Sequence, residues 1–283
     1  MDKKRKKLIA QLIKTPQGRV QLAAAMNEPL KSFRDYEAVG RRALLVDTLG
    51  DGELPYYDKD VDTPAIVIAE DGESVLKIAD DVERVFVPLF EIATLVQIPY
   101  TQLKQRRYDL ESRVKTKTRT EVFRTEDEAI FKAFDVAVTG AGAVNPIVPI
   151  SSNSVDFDAI SDVMGMVEEH GTNRVSNIFI NGKNTTIFRK ALKDVFDPVT
   201  VSEIVSNGFI GTFNGASVHV SPAVPKDRVY FTAEPDFTGR LVESQTLTVL
   251  PADEPAKRSI GYSIFEQVGL YIIPSSVSAI QLT

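Results

Sequence analysis

The longest regular pattern in this chain has a helical period. No Gly or Pro occurs between Tyr100 and Thr139. Leu103, Leu110 and Val114 share a face, as do Phe123, Ile130 and Phe134, and also Val122, Phe131 and Val138, on overlapping stripes. The spacing predicts one helix from Pro99 to about Val138. At 1.5 Å per residue it would be roughly 55 to 60 Å long, against an average helix of about 11 to 12 residues. Its middle, Lys115 to Thr120, is polar and partly β-branched, so a bend is expected there. The period then changes to two. Ser259 to Ile272 reads as one strand of about 45 Å at roughly 3.3 Å per residue, with Ile260, Tyr262, Ile264, Val268, Leu270 and Ile272 on one side. Glu266 falls in the same register. Either it is buried with a cation, for which Arg106, Arg107 and Arg113 on the long helix are the candidates, or a β-bulge near Gly269 turns it outward.

Around these two elements the pattern is shorter. Residues 1–45 read as an arm with short helices, stopped at Thr15-Pro16 and Asn27-Glu28-Pro29. Residues 46–92 read as β-rich. Ala65 to Ile68 and Val75-Leu76 flank Glu70-Asp71-Gly72-Glu73, a hairpin signal; Val85 to Val87 and Leu89-Phe90 follow as a second segment. Residues 139–245 read as mixed α/β. Helices are expected over Phe157–Glu169, with Asp156 or Ser154 near its cap, and Thr185–Leu192. Strands are expected at Ile178–Ile180, Val218–Val220 and Val229–Thr232, with Asn214-Gly215 as a turn. Thr246–Leu250 and Val277–Leu282 complete the strands.

Composition narrows the chemistry. The 283 residues are 43% hydrophobic and 25% charged, ordinary for a globular protein. The formal charge of −6 is uneven. Residues 1–50 carry eleven Lys or Arg against five Asp or Glu, a net of +6, which leaves −12 for the remainder. A basic arm on an acidic body suggests an interaction tail. With no cysteine, disulfides, thiolate metal sites and Cys nucleophiles are excluded. No window approaches 18 consecutive apolar residues, so no membrane span is expected. The basic start lacks the apolar core of a secretion signal.

The order of elements is arm, hairpin, very long helix, α/β lobe, long returning strand and short terminal strand. It resembles the Hong Kong 97-type capsid fold of tailed double-stranded DNA phages, an α+β fold. The residues that carry the resemblance begin with Val87-Pro88-Leu89-Phe90-Glu91-Ile92, Ile98-Pro99 and Arg106-Arg107-Tyr108-Asp109. Glu126 to Phe131 and Gly269 to Ile280 complete them. It covers residues 35–283 in element order. It implies an N-terminal arm (1–45), an extended loop and lead-in (46–100) and a spine helix of a peripheral lobe (101–139). It further implies an axial lobe (140–245), peripheral-lobe strands (246–273) and a terminal strand returning to the axial lobe (274–283). Residues 64–88 would be the loop that reaches over a neighbouring subunit. The implied function is a major capsid protein that self-assembles through pentamers and hexamers into an icosahedral shell. Its implied partners are scaffold, portal and decoration proteins and the packaged DNA on the inner face, with assembly in the host cytoplasm. No scaffold-like segment of a hundred or so residues precedes the arm, so a scaffold is expected to be separate or absent. A cellular nanocompartment shell of encapsulin type shares the fold, and an α/β enzyme is the alternative of another class.

No catalytic, cofactor-binding or metal site is expected. Gly140-Ala141-Gly142-Ala143-Val144-Asn145 lacks the third Gly of a dinucleotide loop and follows a helix, so it reads as a helix exit. His170 reads as a helix-end residue and His219 as the polar face of a strand. Ser151-Ser152 and Ser275-Ser276 have no neighbouring base in sequence and read as loop residues. Asp58 to Asp62 lacks calcium-loop spacing and reads as a solvated turn. Lys3 to Lys7 touches DNA, lies in solvent or meets an acidic face of a neighbour; no aromatics interleave it, which argues against stacking on single strands. The hairpin tip carries no Lys; Lys77 is the nearest. Assembled protein boiled in detergent should therefore run as a monomer near its 31.2 kDa mass, and a ladder of multimers would overturn that expectation.

Overall fold

A computed structural model describes residues 36, 38–50, 52–58, 84–99, 110–151, 155, 157–170, 174–187, 212–252 and 254–283. The arm before Tyr36, the hairpin tip, the first turns expected of the long helix, the caps at Asp156 and Ser154 and most of the helix expected from Thr185 lie outside them. The chain forms two compact units. One comprises Met1–Ala38, Ile92–Ala129 and Leu247–Glu266; the other comprises Val39–Glu91, Ile130–Thr246 and Gln267–Thr283.

In chain order the strands and helices are β1 (Leu45–Thr48), β2 (Tyr56–Asp58), β3 (Arg84–Phe86), β4 (Leu89–Pro99), α1 (Leu110–Thr139), β5 (Val148–Ile150), α2 (Phe157–Glu169), β6 (Asn177–Ile180), β7 (Thr212–Phe213), β8 (Ala216–Val220), β9 (Arg228–Thr232), α3 (Pro235–Thr238), β10 (Gly239–Pro251), β11 (Ser259–Ile272) and β12 (Val277–Leu282). A six-stranded mixed sheet has the order β5-β12-β9-β6-β8-β7, and a four-stranded sheet the order β1-β10-β11-β4. The Asn214-Gly215 turn between β7 and β8 has both residues at positive φ, 47° and 86°, the geometry an Asn-Gly hairpin turn supplies.

The six-stranded sheet of the second unit is apolar on both faces, so its strands cannot show simple alternation of apolar and polar residues. On one face Ile178, Ile180, Val218, Val229, Phe231 and Ile280 pack with Ile160, Val163, Met164 and Val167 of α2. The Ser278 hydroxyl, on that face, donates to the Val163 carbonyl at 3.0 Å. On the other face Phe179, Tyr230, Val277 and Ala279 pack with Ile130, Phe131, Phe134 and Val138 of α1 and with Val39, Ala43 and Leu44. Phe131 stacks on Tyr230 at 6.0 Å and 11°, and meets Phe179 edge-on at 5.5 Å. The ends of α1 and β9 are tied by Arg228, whose Nε lies 3.0 Å from Asp135 Oδ1, with the Tyr230 hydroxyl 3.4 Å from the same oxygen. Burial first, and then the Asp135 charge, push the Tyr230 phenol above its ordinary range.

Within the first unit, Ile92, Ile98, Val122 and Ile264 are buried. Asp127 is fully buried and accepts from the Tyr36 hydroxyl. Glu266 is 1% exposed between Ile264 and Val268, which overturns the outward-turning bulge. The expected cations Arg106, Arg107 and Arg113 have no described side chains. Gly261 lets the chains touch: a Cβ there would sit 2.2 Å from the Ala252 carbonyl oxygen.

Two expectations change. Pro99, expected to open the long helix, is instead the last residue of the eleven-residue β4. The helix is continuous through Lys115–Thr120, where Thr118 and Thr120 donate to the carbonyls of Val114 and Thr116 at 2.8 and 2.7 Å, back-bonds that are compatible with the bend expected there. These back-bonds satisfy hydroxyls that would otherwise compete with the helix. Strand β10 starts at Gly239, seven residues before the apolar run that marks it, because its first half is covered and pairs with β1 in parallel.

Gly239 sits at φ 153°, and a Cβ there would lie 2.1 Å from the Tyr271 carbonyl oxygen. Strain and backbone overlap together predict that Gly239→Ala destabilises the subunit by at least about 3 kcal/mol. Denaturant unfolding of unassembled subunits measures it, and a wild-type midpoint would refute the prediction.

Candidate assembly surface

Strands β2 and β3 form a two-stranded antiparallel ribbon in the second unit, with Tyr56 opposite Phe86, Tyr57 opposite Val85 and Asp58 opposite Arg84. Two strands alone are marginal in water, and this pair is fastened on one face only. The Tyr57 hydroxyl donates to Asp47 Oδ2 at 2.6 Å. The Arg240 guanidinium lies 5.0 Å over the Tyr57 ring, with a nitrogen 3.9 Å from the same Asp47 oxygen. Because β1 and β10 pair in parallel, with Leu45 opposite Arg240 and Asp47 opposite Val242, Asp47 and Arg240 arrive together beneath the ribbon. Partial burial first, and then the hydrogen bond to Asp47, push the Tyr57 phenol up to about 12.

The other face of the ribbon is apolar and open. Tyr56 is 54% and Phe86 53% exposed, their ring centroids 5.2 Å apart, and Leu54 is 65% exposed two residues before Tyr56. Cross-strand aromatic pairs stabilise a ribbon, but this one also leaves a contiguous apolar surface in water. At the ribbon's outer end Arg84 Nε meets Asp58 Oδ1 at 3.0 Å.

Beneath the ribbon's root, Gly269 of β11 permits the crossing of Val87-Pro88-Leu89. A Cβ at Gly269 would lie 2.9 Å from Val87 Cγ1 and 3.0 Å from the Pro88 carbonyl oxygen.

The other residues considered from the sequence lie as follows. Gly140 to Asn145 is a helix exit: the Gly140 amide donates to the Val136 carbonyl, and the buried Asn145 amide nitrogen donates to the Ser275 and Val277 carbonyls at 2.9 and 3.1 Å. Ser276 donates to the Phe237 carbonyl at 2.5 Å. His170 follows the last residue of α2, and His219 lies on β8 beside Asn177 and Phe179. Asp58 is paired with Arg84; Lys59 to Asp62 and Lys3 to Lys7 lie outside the described residues. Among the described residues no group of three or more His, Asp or Glu side chains could hold a metal ion, and no helix is long and apolar enough to cross a membrane. The Tyr57-Asp47-Arg240 fastening and the Asn145 staples escape sequence reasoning. Their only local trace is a polar residue inside an otherwise strand-like or loop segment.

Residues 30–276 match the Phage capsid family. The chain belongs to that family. It is a capsid protein, a component of the virion. Its fold is similar to that of the capsid of the cyanophage P-SCSP1u, at 11% identity and TM-score 0.69 over 90% of this chain and 91% of that one. The Mycobacterium phage Che8 structure aligns at 15% identity and TM-score 0.66, over 90% and 94%. A virus-like particle protein from Pyrococcus furiosus aligns at 17% identity over 98% of both chains with a lower TM-score, 0.52. No curated protein matches the chain.

Tyr57→Phe removes the bond that ties the capsid subunit's ribbon to Asp47 and leaves the ring stacking in place. It should weaken the ribbon's attachment by about 1 kcal/mol or less, read as faster amide exchange at Tyr57 and Val85. The same tie contributes stability that is complete below the ordinary phenol value of 10.0 and is lost as pH rises through about 12. Unchanged exchange in Tyr57→Phe would show that the bond does not fasten the ribbon.

Proposed function

We propose that this chain is the major capsid subunit of a tailed phage and assembles through pentamers and hexamers into an icosahedral shell around double-stranded DNA. The family match over residues 30–276 carries this reading. The subunit is structural and not enzymatic. Residues 101–139 with 246–273 form the peripheral lobe, and residues 140–245 with 274–283 form the axial lobe that packs around the symmetry axes. Supporting that assignment, Ile92–Ala129 and Leu247–Glu266 cluster together, while the six-stranded sheet and α2 cluster in the other unit. Residues 64–88 reach over a neighbouring subunit from the base that β2 and β3 make. Assembly takes place in the host cytoplasm, with scaffold, portal and decoration proteins as further partners.

Shell formation suits a subunit of this kind because closed symmetry multiplies modest contacts. Electron microscopy of the purified protein should show closed icosahedral particles, and particles from infected cells should contain DNA. Particles filled with protein cargo would favour the nanocompartment alternative, and a soluble monomer at all concentrations would refute both. Deleting residues 68–76, the hairpin tip with its acidic Glu70-Asp71-Gly72-Glu73, should leave folded subunits that fail to form stable shells. Normal shells from that deletion would show that the loop is not the clasp.

A further inference from the structure

The turn Val39–Leu44 carries the chain into the second unit, and one closed ring of hydrogen bonds fastens it to the six-stranded sheet. Arg42 Nη1 lies 3.4 Å from Nδ1 of His219. The other ring nitrogen, Nε2, lies 3.1 Å from Asn177 Oδ1. The amide nitrogen of Asn177 lies 3.3 Å from the main-chain oxygen of Arg42. A guanidinium only donates, so Nδ1 must accept. Nε2 then carries the proton and donates to Oδ1, and the Asn177 NH2 donates back to Arg42. Each bond fixes the polarity of the next, and the circuit closes in a single state, the neutral Nε2–H imidazole. The ring is held in position by stacking on Phe179, its cross-strand partner, at 5.3 Å and 29°.

We propose that His219 is a proton-sensitive latch, which holds the Val39–Leu44 turn against β6 and β8 while neutral and lets go of Arg42 when it takes a proton. Protonation places an N–H on Nδ1, facing a guanidinium that has nothing to accept it with, and sets two cations within hydrogen-bonding distance. Among the described residues, the groups in contact with the imidazole are Arg42 from the turn and the neutral Asn177 and Phe179 from β6. Glu243, the carboxylate that meets this turn, is bound by the neighbouring Arg41. Burial first, and then the Arg42 charge, hold His219 below its ordinary value of 6.5. The sign follows. A histidine depressed in the closed state takes its proton more readily once the latch opens, so the hold is complete above about 6.5 and weakens as pH falls below it. Val39, Ala43 and Leu44 stay in the core and Arg41 keeps Glu243, so acid loosens the turn without unfolding the unit.

Hydrogen exchange of the full-length chain, as unassembled subunit, tests the latch. Exchange of peptides spanning 39–44, corrected for intrinsic chemistry, is followed from about pH 7.5 to about pH 5. Opening should grow by about tenfold per pH unit below the ordinary imidazole value, the slope of one linked proton, until the latched ring itself titrates. His219→Gln retains a donor and an acceptor but cannot take a proton, and its opening should be flat across the range. The same acid response in His219→Gln, or none in the wild type, would overturn the proposal. Imidazole resonances give a second reading, because the chain has two histidines and His170→Gln assigns them. The His219 signal should titrate below the ordinary value and move up in Arg42→Met; a signal that stays put in Arg42→Met would overturn the electrostatic half of the latch.

Discussion

The packing of Phe131 and Phe134 on Phe179 and Tyr230 is the contact on which the rest of the second unit depends. It joins the last turns of α1 to the middle strands of the six-stranded sheet. Aromatic rings bury large areas and prefer offset or edge-on contacts, and all four rings here lie within about 6 Å of a neighbour in such geometries. Once α1 covers that face, α2 is left the other, and the sheet is closed to water on both sides. The polar rim then has a defined position. Asp135 leaves the helix just past Phe134 and meets Arg228 at the start of β9, one residue before Val229 and two before Tyr230. The ion pair is thus a consequence of the ring packing, and it fixes how far the helix slides along the strand.

The same contact sets the environment of the turn at residues 39–44. Val39, Ala43 and Leu44 enter the aromatic layer, which brings Arg41 to Glu243 and Arg42 to His219. A hydrophobic anchor of three small or medium side chains supplies position, and charged groups at its edge supply dependence on solvent conditions. The division is physical. Apolar burial near neutrality is indifferent to pH, whereas an imidazole beside a guanidinium is not.

How much of this was legible depended on whether an element declares itself by period. β11, β12 and α2 read correctly to the residue: β11 and α2 each have a recognisable period, and β12 is a short apolar run set off by Pro274. β4 did not, since Val87 to Pro99 mixes apolar and polar residues without a regular period, and Pro99 resembled a helix start. For Glu266 parity left two readings open, burial or an outward bulge, and its burial between Ile264 and Val268 decides for the first. The fastening of the ribbon was not legible, because Asp47, Tyr57 and Arg240 are far apart in sequence and meet only through the parallel pairing of β1 with β10. Nor was the role of His219. Its alternation with Val218 and Val220 said that it faces away from them, but that direction leads to Phe179 and Asn177, half-buried, and not to open water. A polar residue on the second face of a sheet is solvated only if nothing covers that face, and the covering element here lies some forty residues or more away in sequence.

The two faces of the ribbon are stabilised unequally by the described residues. Its inner face is satisfied by Asp47 and Arg240, yet Leu54, Tyr56 and Phe86 remain more than half exposed. An apolar surface in water carries a free-energy cost of about 25 cal/mol per Å², and a monomer designed to stand alone would place polar residues there. The neighbouring pair Asp58 and Arg84, largely exposed, contributes little by itself. Among the described residues the ribbon is held at its root by a few polar contacts, and its aromatic face is left exposed. Further stability of the ribbon must come from whatever covers its exposed aromatic face.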